Sequence, residues 1–101
     1  MEIKETFEGE NLVFSLSGEL DEHSAEFVRN RLDAEIEQKQ FKSVIFDLSR
    51  LSFMDSTGIG VVIGRYKLAR RKQKDVFVRS PSNTVDKIFK MSGLYEIIRK
   101  I

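Results

Sequence analysis

Apolar residues recur along this chain in two rhythms, and the change from one to the other predicts its elements. Ile3 to Phe7 and Leu12 to Ser17 are short β-prone segments separated by Glu8-Gly9-Glu10-Asn11, a turn-forming cluster that closes a hairpin. In the second segment Leu12, Phe14 and Leu16 alternate with Val13, Ser15 and Ser17, so one face of the strand is apolar and meets the core. After Gly18-Glu19-Leu20-Asp21 the period lengthens. Ala25, Val28, Leu32 and Ile36 recur at helical spacing among charged neighbours, and Asp21 is placed to accept backbone N–H bonds at the entry to that amphipathic helix.

The polar run Glu37 to Gln40 ends the helix, and Val44-Ile45-Phe46-Asp47-Leu48 follows as a nearly continuous apolar stretch suited to a central strand. Ser49 to Gly58 reads as a loop. Its last residues offer good helix N-caps, at Ser56 or Thr57, before Ile59, Val62, Ile63 and Tyr66 set a second helical period. Val76-Phe77-Val78 reads as a further strand, and Ser80-Pro81-Ser82 as the cap of a third helix carrying Val85, Ile88 and Phe89. Gly93 stops that helix, and Ile97, Ile98 and Ile101 suggest a last strand.

The predicted order is β-β-α-β-α-β-α-β. Helices crossing between strands imply a mainly parallel sheet with right-handed connections, and the opening hairpin supplies an antiparallel part. A mixed sheet of four or five strands with its helices largely on one side is the economical α/β arrangement. At 101 residues the chain suffices for one compact core and falls short of two ordinary domains, so residues 1–101 are read as one domain.

Composition narrows the function classes. Seventeen basic against sixteen acidic residues leave a formal charge of +1, so no global field draws the molecule to nucleic acid or to an acidic membrane. With no cysteine and a single His23, read as an exposed first-turn residue, a thiolate or histidine-rich metal site is not expected. The charged start Met1-Glu2-Ile3-Lys4-Glu5 and the lack of a long apolar run point to a cytoplasmic chain without a membrane partner. Arg70, Arg71, Lys72 and Lys74 fall at the end of the second helix, where the macrodipole favours cations by about 0.3–1 kcal/mol. As a nucleic-acid patch, Arg65, Lys67, Arg70, Arg71 and Lys72 lack the aromatic platform expected of one.

Candidate chemistry gathers at Asp55-Ser56-Thr57-Gly58-Ile59-Gly60, between the central strand and the second helix, where open α/β sheets place their binding sites. Two readings of Ser56 stand side by side: a cap worth about 1 kcal/mol, or a hydroxyl offered for phosphorylation where N–H groups of the first turn favour phosphate. On the capping reading, Gly58 and Gly60 let the helix approach its neighbours. Phe53 and Met54, apolar beside this segment, either cover the core or form a contact patch. Catalysis is not supported. No lysine stands at the Walker-loop offset from Gly58, Gly60 or Gly64, and the glycine that a nucleophile elbow needs before Ser56 is missing. Asp47 and Asp55 form no recognisable acid/base motif.

Gly18-Glu19-Leu20-Asp21, the run Leu51-Ser52-Phe53-Met54-Asp55-Ser56-Thr57-Gly58-Ile59-Gly60, and Met91-Ser92-Gly93-Leu94 together resemble the STAS-domain anti-sigma factor antagonists. Val61 to Lys67 and Ile97-Ile98-Arg99 are most similar to the sporulation-type antagonists of anti-sigma F. The resemblance implies a mixed sheet flanked by helices and a switch without catalytic residues or cofactor of its own. In such a switch the unphosphorylated form binds an anti-sigma factor that is also a serine kinase, freeing the sigma factor. The kinase then uses ATP to phosphorylate the serine corresponding to Ser56, and a PP2C-type serine phosphatase reverses it. Thr57 stands where the commonest motif has a second serine, leaving it as a neighbouring candidate for the phosphate. Asp21 matches the family's acidic position near that serine, so the implied partner-binding set is Asp21, Asp55, Ser56, Thr57 and Gly58. The competing expectation is a STAS scaffold or transport-accessory module in which Ser56 is only a cap.

Overall fold

The computed structural model describes all 101 residues. Strand β1 (Glu2–Glu8) turns through Gly9 and Glu10 into β2 (Asn11–Leu20). Then come helix α1 (Ala25–Gln38), β3 (Ser43–Met54), α2 (Ser56–Arg71), β4 (Asp75–Arg79), α3 (Asn83–Met91), a 3-10 turn at Leu94–Glu96, and β5 (Arg99–Lys100). This is the expected element order. The five strands lie in the order β1-β2-β3-β4-β5, with β1 antiparallel to β2 and every other neighbouring pair parallel.

Alternation along the strands separates two faces. Leu12, Val44 and Val76 are register partners across β2, β3 and β4, and so are Phe14, Phe46 and Val78. These residues join Val28, Leu32 and Ile36 of α1, Val61, Val62 and Ala69 of α2, and Val85 and Phe89 of α3 in one core cluster. All three helices therefore bury their apolar sides in the same core. Val13 and Ile45, pointing to the opposite face, lie outside that cluster yet are also buried. Nearby on that face Arg79 donates two parallel hydrogen bonds to Glu8, at 2.8 and 2.9 Å, and a third to Asp47 at 3.1 Å.

Four features depart from the sequence reading. First, β3 does not stop at Leu48. The segment read as a loop from Ser49 onward continues as strand to Met54, paired with the far half of β2. Register shifts between Ser15 and Ser17 and between Gly18 and Glu19 break the two-residue alternation, and Gly18 takes φ +111. A bulged strand loses the period by which strands are recognised. Second, the buried side of α2 is turned from the expected one. Val62 is buried, but Ile59, Ile63 and Tyr66 are only partly so, while Gly58, Val61, Arg65 and Ala69 face inward. This helix packs against α1 as well as the sheet, so its apolar residues spread around more than one stripe.

Third, Arg65 is a charge buried between helices: its Nε stands 2.9 Å from Asp33 Oδ1, as an ion contact without hydrogen-bond alignment. Fourth, the isoleucine-rich end is not one strand. Only Arg99 and Lys100 pair with β4, because the left-handed Gly93 (φ +79) leads into the 3-10 turn and Ile98 packs into the core. No helix is long and apolar enough to cross a membrane.

Side chains fasten this short last strand. Asp86 of α3 accepts hydrogen bonds from the Tyr95 hydroxyl and from Lys100 Nζ at 3.0 Å, and pairs with Lys90 Nζ at 3.0 Å. Together Tyr95, Lys100 and Lys90 hold the Asp86 carboxyl well below the usual carboxylate range. A depressed carboxyl contributes stability that is complete above the unfolded value, about 4, and is lost as pH falls through the folded one. The variant Asp86→Asn is expected to melt below wild type at pH 7. That gap should narrow steadily below about pH 4, as followed by circular dichroism.

Candidate functional site

The extended pairing of β3 with β2 decides where the chemistry sits. Leu20 and Met54 are the last register partners of the two parallel strands, so the chain leaves the sheet twice at neighbouring points. One exit begins the turn Asp21-Glu22-His23-Ser24, and the other begins Asp55 and α2. The Asp55 amide donates to the Leu20 carbonyl at 3.2 Å across the gap.

The turn after β2 is held from within. Asp21 Oδ1 accepts from the amides of His23 (2.9 Å) and Ser24 (3.1 Å), as its position in the sequence suggests. The Ser24 hydroxyl accepts from the Asp21 amide and donates to the Glu19 carbonyl at 2.8 Å. Partial burial pushes the Asp21 carboxyl up, but the amides of Ser24 and His23 outweigh it and keep the group below its ordinary value. His23 is exposed, as expected.

At the second exit the cap is Asp55 rather than Ser56 or Thr57. Asp55 has an extended backbone, and its Oδ1 accepts from the Gly58 amide at 2.9 Å. Ser56 is therefore the first helical residue. Aspartate, serine and threonine are all good N-caps, so three in a row leave the position of the cap open to a reader of the sequence. The consequence is chemical, because Ser56 and Thr57 are both exposed and both relieved of the capping role. The other Asp55 oxygen, Oδ2, accepts from the amide of Glu22 at 3.2 Å and so ties the two turns together.

Gly58 fills the remaining space. A Cβ there would lie 2.1 Å from the Leu20 carbonyl oxygen, so only glycine lets the first turn of α2 reach β2. Gly60, expected to serve a similar close approach, does not: a Cβ on it would meet nothing within 4 Å.

The implied partner-binding residues are thus together: Asp55, Ser56, Thr57 and Gly58 in one turn, and Asp21 in the turn tied to it. Phe53 and Met54 divide the two roles proposed for them, Met54 being buried and Phe53 42% exposed. Phe27, 53% exposed on α1, borders a shallow depression with Met1, Glu19, Asp21, His23 and Ser24. Its signal in the sequence is a phenylalanine lying off the stripe Ala25, Val28, Leu32. The Glu22 amide had no such signal, since a backbone group carries no residue type.

A family description of the STAS domain matches residues 2–101. The chain belongs to the STAS-domain family. The expected likeness to anti-sigma F antagonists is also borne out. This STAS domain is 40% identical over 87 residues to the anti-sigma F factor antagonist of Paenibacillus polymyxa, covering 86% of this chain and 74% of that protein. It is 33% identical to the anti-sigma factor antagonist SpoIIAA, solved in its unphosphorylated form, with TM-score 0.70 over 89% of this chain and 83% of that one. To the Bacillus cell fate determinant SpoIIAA in the phosphorylated form the TM-score is 0.74, at 33% identity, over 99% of this chain and 91% of that one.

Two glycines test the packing. Gly58→Ala is expected to cost about 1–3 kcal/mol through overpacking against Leu20. Gly60→Ala in open space should instead stabilise by about 0.5–1 kcal/mol. Urea unfolding of the two variants beside wild type reads both.

Proposed function

We propose that this STAS domain is an anti-sigma factor antagonist in a partner-switching pathway, and that Ser56 carries the switch. The observation that bears most of the weight is an exposed serine at the first position of α2. Its capping role is taken by Asp55, in a chain 40% identical to an anti-sigma F factor antagonist. In this reading the unphosphorylated protein binds a cytoplasmic anti-sigma factor that is also a serine kinase, and so frees the sigma factor. The kinase transfers the γ-phosphoryl group of its ATP to the Ser56 hydroxyl, and binding ends. A PP2C-type serine phosphatase returns the protein to its binding form. The chain is a substrate in both steps and needs no cofactor of its own, and its F-type relatives favour sporulation as the setting.

The local electrostatics make the two states different. A phosphoserine adds about −1.5 to −2 charges at pH 7, here beside Asp55 and next to the turn of Asp21. A partner surface that accepts Asp21 and a neutral Ser56 hydroxyl meets greater bulk and a changed charge. Within the protein itself, N–H groups of the first turn of α2 offset part of the repulsion. The phosphoform should therefore keep its fold, in keeping with the similar scores to the two forms of SpoIIAA.

The test is intact-mass spectrometry with site mapping after incubation with ATP and the anti-sigma factor encoded beside this protein. One phosphoryl adduct on Ser56, abolished in Ser56→Ala, is the expected result. An adduct on Thr57 would move the switch by one residue, and the lack of any adduct would favour a STAS scaffold. The adduct-bearing protein should bind the kinase at least about tenfold more weakly than the unmodified one.

A further inference from the structure

The carboxylate of Asp55 is more than a cap requires. Helix α3 is capped by the hydroxyl of Ser82, which accepts from the Val85 amide at 3.3 Å. Serine and aspartate rank alike at this position, so α2 could have been capped by a hydroxyl with one acceptor oxygen. A carboxylate also places a negative charge one residue from Ser56, which opposes adding a phosphate there. What it brings in return is a second acceptor atom. Oδ1 closes the first turn of α2 through the Gly58 amide, and Oδ2 takes the Glu22 amide from a segment 33 residues earlier.

We propose that Asp55 is a positioning residue: its Oδ2 sets the Asp21 turn at a fixed place beside Ser56, so that the kinase reads the Asp21 carboxylate and the Ser56 hydroxyl as one epitope. This rests on the reading of Ser56 as the phosphorylated hydroxyl. Asp21 suits the part. Its bonds to His23 and Ser24 engage Oδ1, which leaves the second oxygen for a cationic group of the partner. The turn it sits in is rigid within itself, through Ser24 and the Glu19 carbonyl, but its tie to α2 runs through the 3.2 Å Glu22 bond and the neighbouring Asp55 amide to Leu20 carbonyl bond. Because the Glu22 bond is solvent-exposed, it adds little to stability; it fixes a distance.

The substitution Asp55→Asn separates the two duties. An asparagine oxygen still accepts from Gly58, while its NH2 group faces the Glu22 amide, donor against donor. Asp55→Ser is a second route, since a hydroxyl caps α2 but cannot span to Glu22. Two measurements are made on each full-length variant: hydrogen exchange at the Glu22 amide in the free protein, and steady-state phosphorylation by the kinase. Both variants should melt close to wild type, exchange faster at Glu22, and raise the kinase KM about tenfold with kcat nearly unchanged. Unchanged exchange at Glu22 would show that Oδ2 does not hold the turn and would overturn the proposal. Faster exchange with an unchanged KM would overturn it too, because the turn's placement would then not be read. A fall in kcat alone would assign Asp55 to the transfer step instead. Failure of wild type to accept phosphate on Ser56 would bring down the switch itself, a result distinct from any of these.

Discussion

Everything at the candidate site depends on the parallel ladder between β2 and β3. Parallel strands place their C-terminal ends side by side, and here the pairing runs, across two register shifts, from Asn11 and Ser43 to Leu20 and Met54. Two segments far apart in sequence therefore emerge as neighbours. The bulges that spoil the alternation also bend the ladder, and they let Leu51 and Met54 turn into the core while Phe53 stays outside. Had β3 ended at Leu48, the Asp21 turn and the start of α2 would have had no shared strand end to hold them together.

On that frame the site is built almost wholly from backbone groups and two carboxylates. Asp21 organises one turn, Asp55 caps the next and bridges back, and Gly58 removes the side chain that would force them apart. The hydroxyls of Ser56 and Thr57 are left at the surface with no structural task as caps. At the β5 edge of the sheet the charges serve a different purpose. Asp86 is saturated by Tyr95, Lys90 and Lys100, which fixes a last strand too short to hold itself.

Much of this was legible in the sequence because periodicity survives wherever an element has a single buried side. The stripe Ala25, Val28, Leu32, Ile36 is buried as its spacing says, and Leu12, Phe14 and Leu16 point inward as a two-residue period requires. The reading failed where geometry departs from the ideal repeat: in the bulged second half of β3, on α2 with neighbours on more than one side, and at the C-terminus, where Gly93 starts a new turn. The position of the α2 cap was read to within one residue. Asp21, Asp55, Ser56, Thr57 and Gly58 do lie together, but three successive capping residues hid which one caps. The bridge to Glu22 was invisible, since its donor is an amide that every residue but proline possesses.

The two ends of the tetrapeptide Asp55 to Gly58 bind the fold while its middle faces water, and this divides how the positions can change over evolutionary time. A replacement at Gly58 is screened by folding, since a side chain there collides with Leu20 and lowers stability before any partner meets it. A replacement at Ser56 passes that screen, because neither packing nor capping relies on the hydroxyl. On the proposed reading of Ser56, variants there remain as abundant as the parent, and selection meets them only through what they say to other proteins.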